Sequence, residues 1–104
     1  MLKKSRNNTF YLKREDFEYL LNDDVWIRGF YLMERESYFL TTERYTGLRT
    51  WDEFIEDIRK NGIKRPLRVT KCGDTYRVKD GQHRFIAGLY AGLKEFPVYE
   101  DNRD

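Results

Sequence analysis

The C-terminal half of the chain opens with a helical pattern of hydrophobic residues. Four apolar side chains recur at the spacing i, i+3, i+4, i+7 of one helical face: Trp51, Phe54, Ile55 and Ile58. Just before this face, Thr50 and Glu53 have the spacing of a capping box, and Gly62 is placed to end a helix. The pattern therefore predicts an amphipathic helix over residues 51–61, with Trp51 as a core anchor.

The next segment has the period of a β-hairpin. Leu67 and Val69 alternate with polar residues, and Tyr76 and Val78 do the same after a Cys-Gly-Asp turn at residues 72–74. Alternation with a period of two on both sides of a glycine-containing turn is typical of two paired antiparallel strands. We therefore predict a hairpin that delivers the chain to Asp80.

A second helix and a last strand follow the hairpin. The helix is predicted over residues 82–91 and ends at Gly92. Its apolar face is predicted to consist of Ile86, Leu89, Tyr90 and Leu93. Residues 96–99, Phe-Pro-Val-Tyr, are predicted to form a short strand. Both prolines, Pro66 and Pro97, stand where strands are expected to begin.

The N-terminal half has a weaker pattern. Phe17, Leu20 and Leu21 favour a helix over residues 13–22, whereas residues 25–27 and 30–32 are apolar runs that suit strands. Residues 34–49 fit neither period. The aromatic residues of this half include Tyr31, Tyr38, Phe39 and Tyr45. Because no dense run of cations interleaves with them, we expect core packing for these rings in preference to stacking on bases.

Composition indicates one globular domain. The chain has 104 residues, of which 37% are charged and 16% aromatic, so low hydropathy does not imply disorder here.

Cys72 is the single cysteine, which excludes an internal disulfide and fits a reducing compartment. No run approaches the roughly 18 apolar residues of a membrane span. We therefore expect a cytoplasmic protein without a membrane partner.

Charge is distributed unevenly. Residues 60–84 contain eight Lys or Arg and two acids, a net charge of +6, whereas the rest of the chain carries −4. A local excess of this kind attracts phosphates or a nucleic-acid backbone, although exposed cations on a solvated face are the more common case.

The candidate chemistry lies in the sequence Asp80-Gly81-Gln82-His83-Arg84, which is predicted to join a strand end to a helix start. The first N–H groups of a helix and its partial positive charge favour an anion, and Gly81 lets a ligand oxygen come close. Arg84 offers a planar fork for phosphate, and His83 can donate a hydrogen bond or move a proton. The structural alternative is that Asp80 caps the helix by accepting from the His83 N–H and that Arg84 pairs with a surface acid.

A second glycine turn with two cations strengthens the phosphate hypothesis. Gly62, Lys64 and Arg65 precede the hairpin and are predicted to lie beside the first turn. Two such loops can hold opposite sides of one polyphosphate.

These elements, in this order, resemble the ParB/sulfiredoxin-like superfamily over residues 50–99. The motifs that carry the resemblance are Gly62-Ile63-x-x-Pro66-Leu67-x-Val69, Gly81-Gln82-His83-Arg84-x-x-Ala87 and Gly92-Leu93-x-x-x-Pro97-Val98. The pentad at residues 80–84 also resembles that of DGQHR-type proteins, which are associated with DNA-phosphorothioation regulation and mobile elements, including phages. The resemblance implies a small α+β fold, a mixed sheet packed by helices, in a single domain over residues 1–104.

The resemblance also implies a site. Residues 81–84 would be the phosphate cradle, residues 62–65 its second wall, and the ligand a nucleotide (ATP or CTP) or DNA. Asp80 is the one acid that can be placed there, where it would hold Mg²⁺ together with nucleotide phosphates; Asp80 and His83 are then the candidate catalytic residues.

Two departures from the family narrow the expected activity. Sulfiredoxins have a cysteine nucleophile where this chain has Gln82, so sulfinic acid reductase activity is not expected. ParB partition proteins have a glutamate at that position and further helix-turn-helix and dimerisation segments, so operator binding and clamp loading are not expected of these residues. Three hypotheses stay open: a nucleotide-binding domain that acts as a slow NTPase or phosphotransferase, a DNA-binding or nicking regulator, and a non-catalytic protein that contacts a host partner.

Overall fold

The computed structural model describes residues 8–35 and 50–101. Along the chain the elements are β1 (Phe10–Lys13), two short 3-10 helices (Arg14–Asp16 and Tyr19–Asn22), α1 (Asp24–Arg35), α2 (Trp51–Asn61), β2 (Leu67–Cys72), β3 (Thr75–Asp80), α3 (Gln82–Ala91) and β4 (Glu95–Glu100). None of the described helices is both long enough and apolar enough to span a membrane.

The strands form one mixed sheet in the order β1-β4-β2-β3. The β1–β4 and β2–β3 pairs are antiparallel, whereas β2 and β4 run parallel. A parallel pair needs a long crossover connection, and here β3 and α3 supply it. The predicted α+β architecture with a mixed sheet packed by helices is confirmed.

The core lies between one face of the sheet and the helices. Alternate residues of β2 and β4 are buried, because the period of a strand sends Leu67 and Val69, and likewise Phe96 and Val98, to one face. Phe85 of α3 packs on this face, with its ring centroid 5.0 Å from that of Phe96 in β4. This contact fixes α3 against the middle of the sheet.

The sequence predictions for residues 50–62 are confirmed. Glu53 N–H donates to Thr50 Oγ1 at 3.1 Å and Thr50 N–H donates to Glu53 Oε1 at 2.9 Å, which completes the capping box of α2. Trp51 is 2% exposed. Gly62 ends the helix, and its N–H donates to Ile58 O at 2.7 Å.

The hairpin and α3 also form where they are predicted, but the buried face of α3 is wider than expected. Phe85 is fully buried although the predicted face omits it, and Tyr90, which that face includes, is 37% exposed. The reason is that α3 packs against both the sheet and α2, so a single narrow stripe does not describe it. Pro97 is the third residue of β4 and not its start.

The N-terminal predictions are largely wrong. Residues 25–27 and 30–32 belong to α1, where the carboxylate of Asp23 accepts from the N–H groups of Val25 and Trp26 at 2.9 and 3.4 Å. Short apolar runs suit a buried helix as well as a strand, and this N-terminal cap was the missed signal. The helix predicted over residues 13–22 is interrupted at Phe17, which forms an isolated bridge with Tyr76.

Of the four aromatic residues for which core packing is predicted, one lies among the described residues. Tyr31 packs in the structure, with its ring stacked on that of Tyr90 at a centroid distance of 4.2 Å. Tyr38, Phe39 and Tyr45 lie outside the described residues.

Candidate functional site: the start of α3 and the loop beside it

The N-cap residue of α3 has no side chain. Gly81 is its N-cap residue, with φ of 110°, and the first hydrogen bond of the helix runs from Phe85 N–H to Gly81 O at 2.9 Å. The N–H groups of Gln82, His83 and Arg84 therefore precede the hydrogen-bond ladder of the helix. The alternative in which Asp80 is the N-cap residue is wrong in position, because Gly81 is the N-cap residue and Asp80 is the last residue of β3. The N-terminal N–H groups and the partial positive charge of the helix favour an anion at this position.

Gly81 is required by packing as well as by backbone conformation. A Cβ at this residue would lie 2.7 Å from Leu67 Cδ2 and 3.1 Å from Arg84 Nη2. The space that a side chain would take is thus occupied by the chain itself. This corrects the sequence-based reason for Gly81: in this direction the glycine makes room for Leu67 and Arg84 and not for a ligand.

Arg84 is committed to the neighbouring loop. Its Nη1 donates to Arg65 O at 2.5 Å and to Pro66 O at 3.2 Å. Its Nη2 lies 3.7 Å from Asp80 Oδ2, and the side chain is only 13% exposed. The predicted pairing of Arg84 with an acid is therefore present, with Asp80 as the acid. The same guanidinium also joins α3 to Pro66, which lies 18 residues earlier in the chain.

Residues 62–66 form the loop between α2 and β2, and they lie along α3 between Arg84 and Gly88. Ile63 packs over Gly88, where an added Cβ would be 3.4 Å from Ile63 Cδ1, and the Arg65 carbonyl meets Arg84 one turn earlier on α3. The side chains of Lys64 and Arg65 are exposed. The loop that follows Gly62 thus contacts α3, through Arg65 and Pro66 at Arg84 and through Ile63 at Gly88.

His83 lies in an aromatic cluster. Its ring centroid is 5.1 Å from that of Phe30 in α1 and 6.4 Å from that of Trp51 in α2, and the side chain is half-buried. The sequence analysis did not find Phe30 as a neighbour of the site, because it assigned that segment to a strand. Gln82, in contrast, is exposed at the mouth of the helix.

Asp80 brings one carboxylate to the edge of the site. It is 58% exposed and faces the Arg84 guanidinium. Among the described residues, no three His, Cys, Asp or Glu side chains come together in a way that could hold a metal ion. The residues present fit a Mg²⁺ only if phosphate oxygens and water supply most of its ligands, which is a common arrangement for this ion.

The folded surface is less basic around the site than the sequence of residues 60–84 implies. Arg68 pairs with Asp101 at 3.5 Å, and Arg77 pairs with Glu18 at 3.3 Å, so acids from outside the segment offset part of its +6 charge. Lys60, Lys64 and Arg65 remain as exposed cations at the end of α2 and in the loop.

No protein-family model matches the chain. Curated proteins are similar to it over about half its length: the chromosome-partitioning protein ParB of Myxococcus xanthus is 44% identical over 46 residues, and a probable plasmid-partitioning protein ParB of Thermus thermophilus is 48% identical over 47 residues. Each match covers 44–45% of this chain and 16% of the relative, so the chain corresponds to a small part of those proteins.

Two solved structures resemble the whole described fold. The C-terminally truncated chromosome-partitioning protein ParB from Caulobacter crescentus, complexed with CTP-gamma-S, aligns with a TM-score of 0.57 and 20% identity over 93% of this chain and 46% of that one. Sulfiredoxin from Arabidopsis thaliana aligns with a TM-score of 0.55 and 20% identity over 91% of this chain and 85% of that one. The chain therefore has a ParB/sulfiredoxin-like fold. Within that class, its sequence similarity is to ParB partition proteins.

Proposed function

We propose that this chain is a nucleotide-binding ParB-like domain, which holds the phosphates of a nucleotide between the start of α3 and residues 62–65. The observation that carries the proposal is the position of the loop: the contacts of Arg84 hold it beside the first turn of α3, whose N-cap residue is Gly81. The loop main chain beside the helix N–H groups carries the exposed cations Lys64 and Arg65, and cations together with helix N–H groups suit a polyphosphate.

The residues divide into backbone and side-chain ligands. Gly81, Gln82 and His83 offer main-chain N–H groups, and the exposed amide of Gln82 can add a donor. Lys64 and Arg65 offer charged donors from the loop, and Gly62 lets the loop leave α2 in a conformation with φ of 76°. The structural neighbour complexed with CTP-gamma-S supports CTP as the first nucleotide to test, with ATP as the comparison.

The proposal is tested by thermal unfolding with CTP and with ATP, in the presence and absence of Mg²⁺. At 100 times its dissociation constant a ligand of the native state adds about 2.7 kcal/mol to the free energy of unfolding, which raises the melting temperature of a domain of this size by roughly 10 to 20 °C.

The double substitution Lys64→Ala with Arg65→Ala should weaken binding at least about tenfold, since each change removes a charge-assisted contact. Lys94→Ala, which removes an exposed cation beyond the far end of α3, should leave binding unchanged. Absence of any shift at millimolar nucleotide would refute the proposal.

We propose further that any slow NTP hydrolysis or phosphoryl transfer at this site depends on Asp80. Mg²⁺, when bound with the nucleotide, would neutralise phosphate charge. Asp80 would supply the protein carboxylate and His83 a proton donor or acceptor. Release of inorganic phosphate from CTP and ATP should be measured for the wild type and for Asp80→Asn; equal rates in the two proteins would exclude a role for this carboxylate.

DNA binding is a second candidate, favoured by the exposed cations Lys60, Lys64 and Arg65 on one side of the site. Three phosphate contacts predict that the logarithm of affinity falls with the logarithm of salt concentration with a slope of about −2.7. A salt-independent affinity, or no affinity for a duplex at low salt, would exclude this candidate. Capture of one host protein by the Lys64→Ala/Arg65→Ala variant, which is expected to bind both ligands more weakly, would favour the interaction role. Phage origin stays a prediction from the resemblance.

A further inference from the structure

We propose that Arg84 is a positioning residue: it holds residues 62–66 against the first turn of α3, and it acts on a nucleotide through Lys64 and Arg65 and not by direct contact with the phosphates. This inference rests on the proposed function and concerns how the same site is kept in shape.

The donors of Arg84 are directed at the chain. A guanidinium binds phosphate best as a fork, with two parallel N–H groups aimed at two oxygens. In this structure the Nη1 donors point at the carbonyls of Arg65 and Pro66, at 2.5 and 3.2 Å, and Nη2 faces Asp80. A side chain that is 13% exposed and engaged on two sides presents little of its fork to a ligand.

The neighbours of Arg84 are arranged to admit it. A Cβ on Gly81 would lie 3.1 Å from Nη2 and 3.3 Å from Cζ, so the glycine provides the space that the guanidinium crosses on its way to the loop. The hydrogen bonds from Arg84 to the loop therefore depend on the absence of a side chain at Gly81.

The loop depends on Arg84 because it has few other attachments. Residues 63–66 are in neither helix nor strand. Ile63 anchors one end over Gly88, and Arg84 holds the other end through main-chain carbonyls. Without those hydrogen bonds the main chain that carries Lys64 and Arg65 would no longer be held beside α3, and binding would have to order it first.

The test separates loop order from ligand contact. Backbone ¹⁵N relaxation is measured without nucleotide on the wild type, Arg84→Met, Arg84→Lys and Arg65→Ala, and the affinity of each for CTP with Mg²⁺ is measured by calorimetry. Arg84→Met keeps the aliphatic packing and removes the donors, whereas Arg84→Lys keeps donors that can reach the carbonyls. Arg65→Ala removes an exposed cation but leaves the Arg65 carbonyl in place.

We expect Arg84→Met to lower the order parameters of Ile63, Lys64 and Arg65 from about 0.85 towards 0.6 or below in the ligand-free protein. Its CTP affinity should fall at least about tenfold. Arg84→Lys should restore part of the loop order and of the affinity, and Arg65→Ala should lose affinity with the loop order unchanged. If Arg84→Met loses affinity while the ligand-free loop keeps its wild-type order, the inference is wrong and Arg84 contacts the phosphates itself.

The two proposals fail in distinguishable ways. Absence of CTP and ATP binding to the wild type would refute the nucleotide site. Unchanged loop order in the ligand-free Arg84→Met protein would refute the positioning role. Should Arg84→Met not fold, Arg84→Lys decides the matter: wild-type affinity with a disordered loop would overturn the inference, and a joint, partial loss of order and affinity would support it.

Discussion

Gly81 and Arg84 depend on each other at the scale of single residues. The positive φ of Gly81 turns the chain from β3 into α3, and the missing side chain leaves the path along which Arg84 reaches the loop. Sequence reasoning found both residues but assigned them directly to a phosphate. Besides Asp80, Arg84 has main-chain carbonyls as partners, and these carry no signature in the sequence, so the contact with the loop could not have been predicted from residue types.

Gly81→Ala should destabilise the domain by about 3 kcal/mol, because positive-φ strain adds to a clash with Leu67 and Arg84. Gly73→Ala is the matched control: Gly73 also has a positive φ, of 62°, but among the described residues nothing lies within 4 Å of an added Cβ. It should cost only about 1 kcal/mol, from strain alone. Urea unfolding of both variants measures the difference, and equal losses would show that the space beside Gly81 is not filled as described.

At the scale of elements, local sequence signals account for most of residues 50–100. The capping box, the alternation in β2 and β3 and the glycines after α2 and α3 are each read from neighbouring residues, and each element formed within a residue or two of its predicted bounds. In α1 the signal was ambiguous, because aromatic and β-branched runs suit either period. Its helical state is stabilised by packing on α2 and α3, and that packing is tertiary information.

Two helical glycines, Gly29 and Gly88, allow the effect of tertiary packing on the stability of a helix to be measured. An alanine at Gly29 in α1 would meet no described atom within 4 Å, so Gly29→Ala should stabilise the domain by about 0.5 to 1 kcal/mol through helix propensity. At Gly88 in α3 an added Cβ would lie 2.7 Å from Phe96 Cε2 and 3.2 Å from Leu93 Cδ1.

Gly88→Ala should therefore destabilise the domain by about 1 to 2 kcal/mol, because overpacking exceeds the gain in propensity. Thermal unfolding of the two variants should give shifts of opposite sign. Stabilisation by both substitutions would contradict the close packing of α3 on β4.

At the scale of the whole molecule, the structural comparison covers more of the chain than the sequence comparison does. The structural likeness to ParB and sulfiredoxin covers more than nine-tenths of the chain at 20% identity, whereas the sequence similarity to ParB proteins covers about half of it. The charge surplus predicted for residues 60–84 is reduced in the fold, since Glu18 and Asp101 come from distant parts of the chain. Nucleotide binding is thus better supported by geometry than by net charge.

The most direct test of that claim is a titration of the ¹⁵N-labelled protein with CTP and Mg²⁺, followed residue by residue through its amide chemical shifts. We expect saturable changes that are largest at Gly81, Gln82, His83 and residues 63–65, and much smaller changes with cytidine, which has no phosphates. Shifts concentrated elsewhere on the molecule, or none at millimolar CTP or ATP, would contradict a nucleotide site at the start of α3.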